Sequence, residues 1–382
     1  MKKTMTPPQT AGIHTHHTPQ QMAHIREIVK GLPVEFRSLA TAIGMFATSG
    51  LDSHYVMRTL PKLLRQLVPI DLAGYFWANT AGEMVDAYVE TPHFLRAEVV
   101  LSCLKFQQEA AGNWPSFQEN VLAGPGVGYL QRYQNEHFYQ SAHYQLVYAP
   151  IHIQHIIDVV VHDGHKPYGA FLLMRTDQHP PFNPLEIQFL RAIADLMVYA
   201  HALPAAHSVQ ATRSYDAGIL MLSDQQDIAF CNLHAHQILW MLSRDPAIPM
   251  QLDHDDSLPT LVLNHCRNGI AQARLHGSYQ EHYSNHWGEF VLCYEASANQ
   301  THVAVTMSQI QPYPCYLAQK IIHEHLTPMR LMVAWLLTEG YARKEIARTL
   351  EITTDTVAEY IKSIFDHFNI SSTSQLIRKL SQ

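Results

Sequence analysis

The segment 326–380 constrains the fold of this chain most, because it reads as a series of short helices joined by tight turns. Thr327 followed by Pro328 is typical of a helix start, since a hydroxyl can cap free N–H groups and proline suits the first helical position. Apolar residues continue to Leu337, and Gly340 fits the left-handed conformation that ends many helices. The pattern predicts a first short helix that ends at Gly340.

Three more helices are predicted in the same segment. The second spans 343–350, Thr353 can cap the third, and Ser372 with Gln375 forms a capping box for the fourth. The third helix has an apolar face at helical spacing, made by Val357, Ile361, Ile364 and Phe368. Two short helices, a tight turn and a longer amphipathic helix make a helix-turn-helix arrangement.

The third helix of such an arrangement fits the major groove of DNA, which admits one α-helix. Because its apolar face packs against the domain, its polar residues are predicted to face outward. These are Thr354, Asp355, Ala358, Glu359 and Lys362.

The segment resembles the DNA-binding domain of LuxR-type bacterial transcription regulators. The matching motifs are L-T-P at 326–328, L-L-x-x-G at 336–340, K-E-I-A at 344–347 and I-T-x-x-T-V at 352–357, with anchors at Ile364 and Leu376. In that family the second helix and its turn grip phosphates, and the third helix reads bases. The resemblance implies phosphate contacts for Arg343 and Lys344. The full set of residues predicted to bind DNA is Arg343, Lys344, Thr353, Thr354, Asp355, Thr356, Ala358, Glu359 and Lys362.

Some positions depart from the family pattern. Arg330 stands where the family usually has Glu, Ala342 where a capping Ser opens the second helix, and Ala358 where a Lys follows T-V. Residues 326–382 carry seven Lys+Arg and six Asp+Glu, a net charge of +1. Because counterion release drives non-specific DNA affinity, one such module is expected to bind weakly alone. We therefore expect a homodimer on two-fold DNA sites.

The rest of the chain is acidic and globular in composition. The 382 residues are 47% hydrophobic and 15% charged, which allows about two or three folded domains. Residues 1–325 hold 19 basic and 27 acidic residues, so DNA contact is expected from the last domain alone. Five scattered cysteines without a C-x-x-C motif favour reduced thiols. With no apolar run of membrane length, the sequence predicts a cytoplasmic protein that does not contact membranes.

The region before the helix-turn-helix reads as helices and antiparallel hairpins, an α+β layout. One hairpin is predicted from 71–78 and 83–90, and a second from the β-rich stretch 145–161 and 168–175. Asn183 and Glu186 form a capping box that starts a helix. From 214 the pattern reads strand, turn, strand and helix, and 289–297 and 301–310 form a further antiparallel pair.

The motifs at 67–77, 162–169 and 180–186 make segment 51–203 similar to GAF-like sensor domains, and 214–310 resembles a PAS-like unit. We therefore predict a multidomain chain with antiparallel sheets flanked by helices, followed by an all-α four-helix domain. Its parts are a flexible tail (1–22), an N-terminal helical segment (23–50), a GAF-like domain (51–203), a linker (204–213), a PAS-like α+β domain (214–310), a linker (311–325) and the helix-turn-helix domain (326–382).

A small-molecule effector is predicted in the GAF-like domain, because aromatic residues lie on its predicted sheet and pockets are commonly apolar and aromatic. The candidates are Tyr75, Trp77, Tyr148 and Phe171, with Tyr75 and Trp77 on one face. A filled hydrophobic core would use the same residue types. No sequence pattern identifies a cofactor.

Histidine is abundant, with 26 residues, and several pairs have spacings that invite metal hypotheses. The pairs are His152/His155, His162/His165, His234/His236, His282/His286 and His323/His325. None has a second Cys/His cluster at zinc-finger spacing, so no metal site is predicted. The chain also has no phosphate-binding glycine loop and no nucleophile motif, and an enzyme is therefore not expected.

These patterns predict a sequence-specific DNA-binding transcription regulator. A small molecule or a partner would control it through the N-terminal sensor region, and it would bind double-stranded DNA as a homodimer. The alternative is a non-enzymatic interaction protein that recruits another regulator and whose DNA-binding module is degenerate.

Overall fold

The computed structural model describes most of the chain. The described residues are 18–91, 94, 99, 102, 115–202, 211–213, 217–223, 227–244, 258–312 and 319–380.

Three helices open the described chain: α1 (Pro19–Lys30), α2 (Val34–Ala47) and α3 (Ser53–Leu64). Helix α1 begins in a capping box, in which Thr18 Oγ1 accepts from the Gln21 N–H and Gln21 Oε1 accepts from the Thr18 N–H. The predicted flexible tail, 1–22, is therefore wrong for residues 19–22, since they are helical and Met22 is buried. The remainder of that tail, 1–17, lies outside the described residues.

The first sheet is antiparallel and five-stranded, in the order β2-β1-β5-β4-β3. Its strands are β1 (Leu72–Ala78), β2 (Met84–Val89), β3 (Gly126–Val127), β4 (Ile153–His162) and β5 (Pro167–Thr176). The two predicted hairpins are confirmed, since β1 pairs with β2 and β4 pairs with β5.

Short helices connect β2 to β4 across the described part of that stretch. They are α4 (Phe117–Leu122), a 3-10 turn (Leu130–Tyr133), α5 (Glu136–Gln140), α6 (Ala142–Val147) and a second 3-10 turn (Ala149–Ile151). The sequence pattern extended the β structure back to residue 145, which is wrong. Ser141 Oγ caps α6 by accepting from the Tyr144 N–H, and this local hydrogen bond favours a helix over the β-propensity of the segment. Tyr148 therefore lies at a helix end and not on the sheet.

Helix α7 (Pro184–Ala202) covers the first sheet and begins in the predicted capping box of Asn183 and Glu186. A buried arginine ties this helix to the sheet. Arg175 on β5 donates to the Pro69 carbonyl (2.6 Å), the Pro180 carbonyl (2.9 Å) and Glu186 Oε1 (2.7 Å).

The second sheet is antiparallel, with the main order β8-β7-β11-β10-β9 and β6 paired to β11. Its strands are β6 (Ala211–Arg213), β7 (Gly218–Ser223), β8 (Ile228–Cys231), β9 (Ser278–Asn285), β10 (Gly288–Ala296) and β11 (His302–Pro312). Helices α8 (Leu233–Leu242) and α9 (Leu258–His276) lie between β8 and β9. The predicted strand–turn–strand–helix start and the β10–β11 pair are confirmed. Residues 211–213, predicted as linker, form β6 instead.

Apart from β6, the two sheets share one strand order, since β2-β1-β5-β4-β3 in the first sheet corresponds to β8-β7-β11-β10-β9 in the second. The two units also share a hydrophobic core and meet at aromatic rings. Trp77 of β1 contacts Trp287 of the β9–β10 turn edge to face, with ring centroids 5.3 Å apart. Arg58 of α3 donates to Gln309 Oε1 of β11 at 3.0 Å.

Four helices form the C-terminal domain, as predicted: α10 (Pro328–Thr338), α11 (Arg343–Leu350), α12 (Thr354–Phe368) and α13 (Thr373–Leu380). Residues 319–323 before it are helical, whereas a linker was predicted there. Trp335 of α10 contacts Phe46 of α2 at 5.6 Å between centroids, so this domain packs on the N-terminal helices. Antiparallel sheets with flanking helices, followed by a helical domain, confirm the predicted fold class.

Candidate nucleic-acid interface

The turn between α11 and α12 is fixed by local backbone geometry. Glu351 ends α11 in the left-handed conformation, with φ of 54° and ψ of 41°. The Ile352 N–H donates to the Ala347 carbonyl. Thr353 Oγ1 then caps α12 by accepting from the Thr356 N–H at 3.1 Å. This three-residue turn sets the angle between the two helices.

Helix α12 has one buried face and one exposed face. Val357, Ile361, Ile364 and Phe368 are buried against the domain, as the apolar spacing predicts. Thr354, Asp355, Glu359 and Lys362 are exposed, while Thr356 and Ala358 are half-buried. The polar face of α12 is therefore open to solvent.

Helix α11 contributes the exposed cations Arg343 and Lys344 at its first turn. Ala342 stands at its N-cap, where the Glu345 carboxylate accepts from the Ala342 N–H at 2.7 Å. The arrangement therefore keeps the carboxylate half of a capping box although Ala342 lacks the hydroxyl of the other half.

The predicted DNA-binding residues form one continuous region in space, because they all lie on α11, the turn and the exposed side of α12. Thr353 and Thr356 also have a structural role, since their hydroxyl oxygens are 2.8 Å apart at the cap of α12. Asp355 and Glu359 place negative charge on the same face as Lys362. Their carboxylates would oppose a phosphate at close range and suit a position over base edges.

Sequence patterns did not identify Arg26, which contacts this region from α1. Its guanidinium pairs with Glu351 Oε1 at 2.8 Å and donates to the Thr349 carbonyl at 3.0 Å. Arg26 thus satisfies a carbonyl at the end of α11 and holds the turn against α1. The contact joins residues 323 positions apart, so no local spacing could have revealed it.

The four residues predicted to bind an effector lie in hydrophobic cores. Tyr75, Trp77 and Phe171 are together in the main core, where the ring of Tyr75 contacts that of Phe171 at 4.4 Å and that of Trp77 at 4.7 Å. Burial raises the pKa of Tyr75 well above its usual value, and its hydroxyl hydrogen-bonds His201 Nε2 at 2.9 Å. Tyr148 lies in a separate core with Phe138. The fold thus brings together three of the four.

A cleft of about 200 Å³ opens between the two sheet units. Side chains from both units line it, including Arg58, Lys62, Tyr88, Glu90, His234 and Gln309. Its lining combines these polar groups with the apolar side chains of Leu233, Ile238 and Met241.

Comparison with known sequence families assigns the C-terminal domain. Residues 324–380 match the GerE family, described as "Bacterial regulatory proteins, luxR family". These residues form a helix-turn-helix domain of the LuxR family. No curated protein sequence matches the chain. Among the helices that the structure describes, none has the length and apolar character needed to cross a membrane.

Solved structures of VqmA show local similarity to the chain. The Vibrio cholerae VqmA dimer without target DNA is 14% identical, with 43% of this chain and 81% of that chain covered and a TM-score of 0.19. VqmA bound to DPO is 17% identical over 43% of this chain and 80% of that chain, with a TM-score of 0.18. The VqmA chain of the Vibrio cholerae VqmA–ligand–DNA complex is 17% identical over 44% of this chain and 82% of that chain, with a TM-score of 0.17.

Proposed function

We propose that the chain is a sequence-specific DNA-binding transcription regulator that binds DNA as a homodimer. A small molecule or a partner protein controls it through the two sheet units. The observation that supports this most is the exposed polar face of α12, which belongs to a LuxR-family helix-turn-helix domain.

In this proposal α12 enters the major groove and α11 approaches the phosphates. Lys362, Glu359 and Ala358 lie along the groove, while Arg343 and Lys344 contact the backbone beside it. Phosphate contacts set affinity and register, whereas side chains at base edges set sequence preference. The acidic residues on α12 would therefore lower affinity for most sequences and help to select a few.

Dimerisation supplies the affinity that one module lacks. The net charge of +1 on 326–382 provides little counterion release for a single domain. Two modules on half-sites about one helical turn apart combine their contacts. The cleft between the sheet units is the proposed effector site, because a molecule bound there would touch both units.

The test begins with selection of bound duplexes from a randomised pool by the full chain at about 50 mM salt, where electrostatic binding is strong. Binding of the selected duplex is then measured for Lys362→Ala and Thr356→Ala. Each variant is expected to bind more weakly by about 1–3 kcal/mol.

Two matched variants separate docking from general effects. Arg191→Ala removes one exposed cation on α7, and Thr356→Ser keeps the hydroxyl that contacts Thr353. Both are expected to retain wild-type affinity. Unchanged binding by Lys362→Ala and Thr356→Ala would overturn this docking. If no duplex is retained at low salt, the interaction-protein alternative replaces the proposal.

A further inference from the structure

Three segments that are distant in sequence meet where the two sheet units join. His54 lies in the first turn of α3, Asp86 on β2 and His286 in the β9–β10 turn. One donor atom of each lies within 4.8 Å of the other two. His54 Nε2 is 3.6 Å from Asp86 Oδ2, and His286 Nε2 hydrogen-bonds the same oxygen. The pattern of the sequence paired His286 with His282, but the fold places it beside His54.

Aromatic rings enclose this cluster. Trp77 stacks on the His54 ring at 4.5 Å between centroids, and Trp287 contacts the same ring edge to face at 4.6 Å. The Asp86 side chain is 3% exposed, and the two imidazoles are 16% and 15% exposed. Solvent can therefore reach the imidazoles but hardly the carboxylate.

Asp52 fixes the tautomer of His54. Asp52 Oδ1 lies 2.7 Å from His54 Nδ1, so that nitrogen carries a hydrogen. In the neutral ring, Nε2 then presents a lone pair toward Asp86 Oδ2. Two acceptors that face each other need either a proton or a metal ion between them. A carboxylate on the far nitrogen is also the usual partner of a metal-binding histidine.

The two imidazoles share one oxygen of Asp86. Arg244 Nε lies 3.8 Å from Oδ1, whereas both imidazoles approach Oδ2. His286 Nδ1 is buried and has no hydrogen-bond partner among the described residues. Coordination through Nε2 would therefore place the hydrogen of the neutral ring on Nδ1.

We propose that His54, Asp86 and His286 bind a divalent transition ion of the zinc class. Two imidazoles and one carboxylate are a donor set that such ions prefer, with a further position for water or a ligand. Zinc bonds of about 2.0–2.2 Å place neighbouring donors about 3.3 Å apart. That distance is close to the His54–Asp86 separation, whereas the His286–Asp86 contact would widen when the ion binds. The ion takes the place of the hydrogen between His286 Nε2 and Asp86, and the neutral ring then carries its hydrogen on Nδ1, so no net proton is released from it.

The ion would fasten the two sheet units to each other. His54 and Asp86 belong to the first unit, and His286 belongs to the second. Helix α3 follows α2, whose Phe46 contacts Trp335 of the DNA-binding domain. The site itself does not depend on DNA binding, so either proposal can fail alone.

The test uses metal-free full chain in which His14→Ala, His16→Ala and His17→Ala remove a competing histidine cluster. Co²⁺ is titrated while the visible absorption of low-coordinate Co²⁺ is recorded, and Zn²⁺ is then added to displace it. We expect one tightly held ion per chain and a rise in unfolding temperature with Zn²⁺. Asp86→Asn should weaken binding by about 100-fold, and Asp52→Asn by about tenfold.

His302→Ala is the matched control, because His302 is exposed at the start of β11, and it should bind Co²⁺ like the parent. If Asp86→Asn does not fold without metal, His286→Gln is used in its place. His286 lies in the β9–β10 turn and not in a strand, so its replacement should disturb the sheet less. The proposal is overturned if Co²⁺ gives no visible band and Zn²⁺ no thermal shift. Equal affinity in the parent and in a folded ligand variant would also overturn it.

Discussion

The candidate site of the C-terminal domain is built from residues close in sequence, whereas the candidate site of the two-sheet region is built from residues far apart. In the C-terminal domain the candidate DNA-binding residues lie between Arg343 and Lys362, on two adjacent helices and one turn. In the two-sheet region the polar groups that meet at the junction come from residues as far apart as Asp52 and His286. The first kind of site needs only correct local folding, whereas the second forms only when both sheets are in place. Substitutions should therefore act locally in one region and at a distance in the other.

The largest effect is expected at the buried arginine of the first sheet. Arg175→Met leaves the Glu186 carboxylate buried without its partner, which costs about 3–5 kcal/mol in the free energy of unfolding. Denaturant unfolding followed by circular dichroism measures this loss. Arg175→Met combined with Glu186→Gln should recover part of it, because no uncompensated charge remains. Equal stability of the single variant and the wild type would show that this ion pair does not hold α7 to the sheet.

A core substitution in α12 should cause a large loss of stability that is confined to the C-terminal domain. Ile364 is fully buried, so Ile364→Ala should cost about 2–5 kcal/mol and abolish DNA binding. Hydrogen exchange should lose protection across 328–380 and keep it across β4 and β5. Loss of protection in both regions would mean that they unfold as one unit, and the comparison would fail.

Acid should destabilise the first sheet unit through its buried histidines. Burial, with the nearby His54 as a smaller cause, lowers the pKa of His201 to about 3, and burial lowers that of His143 to about 4. An unfolded histidine titrates near pH 6.5. The unfolded chain therefore binds protons that the folded chain does not, and stability falls as the pH drops below about 6.5.

His201→Gln can keep the hydrogen bond to Tyr75 but cannot titrate. It should reduce the slope of stability against pH by up to about 1.4 kcal/mol per pH unit between about pH 6 and pH 4. Urea unfolding at a series of pH values tests this. An unaltered slope would mean that His201 is already protonated in the folded protein.

The smallest effect is expected where the two regions touch. The Arg26–Glu351 pair is partly exposed, so Arg26→Ala should cost less than about 1 kcal/mol. Amide exchange at 349–352 should nevertheless become faster, because the turn loses its anchor on α1. Glu351→Gln should give a similar result, and the double variant should add little to either. Full additivity would show that the two side chains act independently.

The sequence was sufficient for the C-terminal domain because its signals are short-range. Thr353, Gly340 and the spacing of Val357 and Ile361 each act within a few residues, and the helices follow from them. The β1–β2 and β4–β5 hairpins were predicted for the same reason, although the second was placed at 145–175. The β interpretation failed near Tyr148, where the cap at Ser141 outweighs β-propensity.

The contacts between units could not be predicted, because they depend on how the sheets pack. Arg26 meets Glu351, and His54 meets His286, only through tertiary structure. The effector role of Tyr75, Trp77, Tyr148 and Phe171 stays a prediction, and their burial fits a filled core as well. The cleft beside Arg58 arises from both sheet units and has no signature in either segment.

Lysine footprinting tests the central claim, that the polar face of α12 lies along DNA, most directly. Lys344 and Lys362 are exposed in the structure, and Lys30 on α1 is exposed as an internal reference. With a selected duplex bound at low salt, acylation of Lys344 and Lys362 should fall sharply while that of Lys30 stays constant. Undiminished labelling of Lys344 and Lys362 in the bound complex would contradict the account.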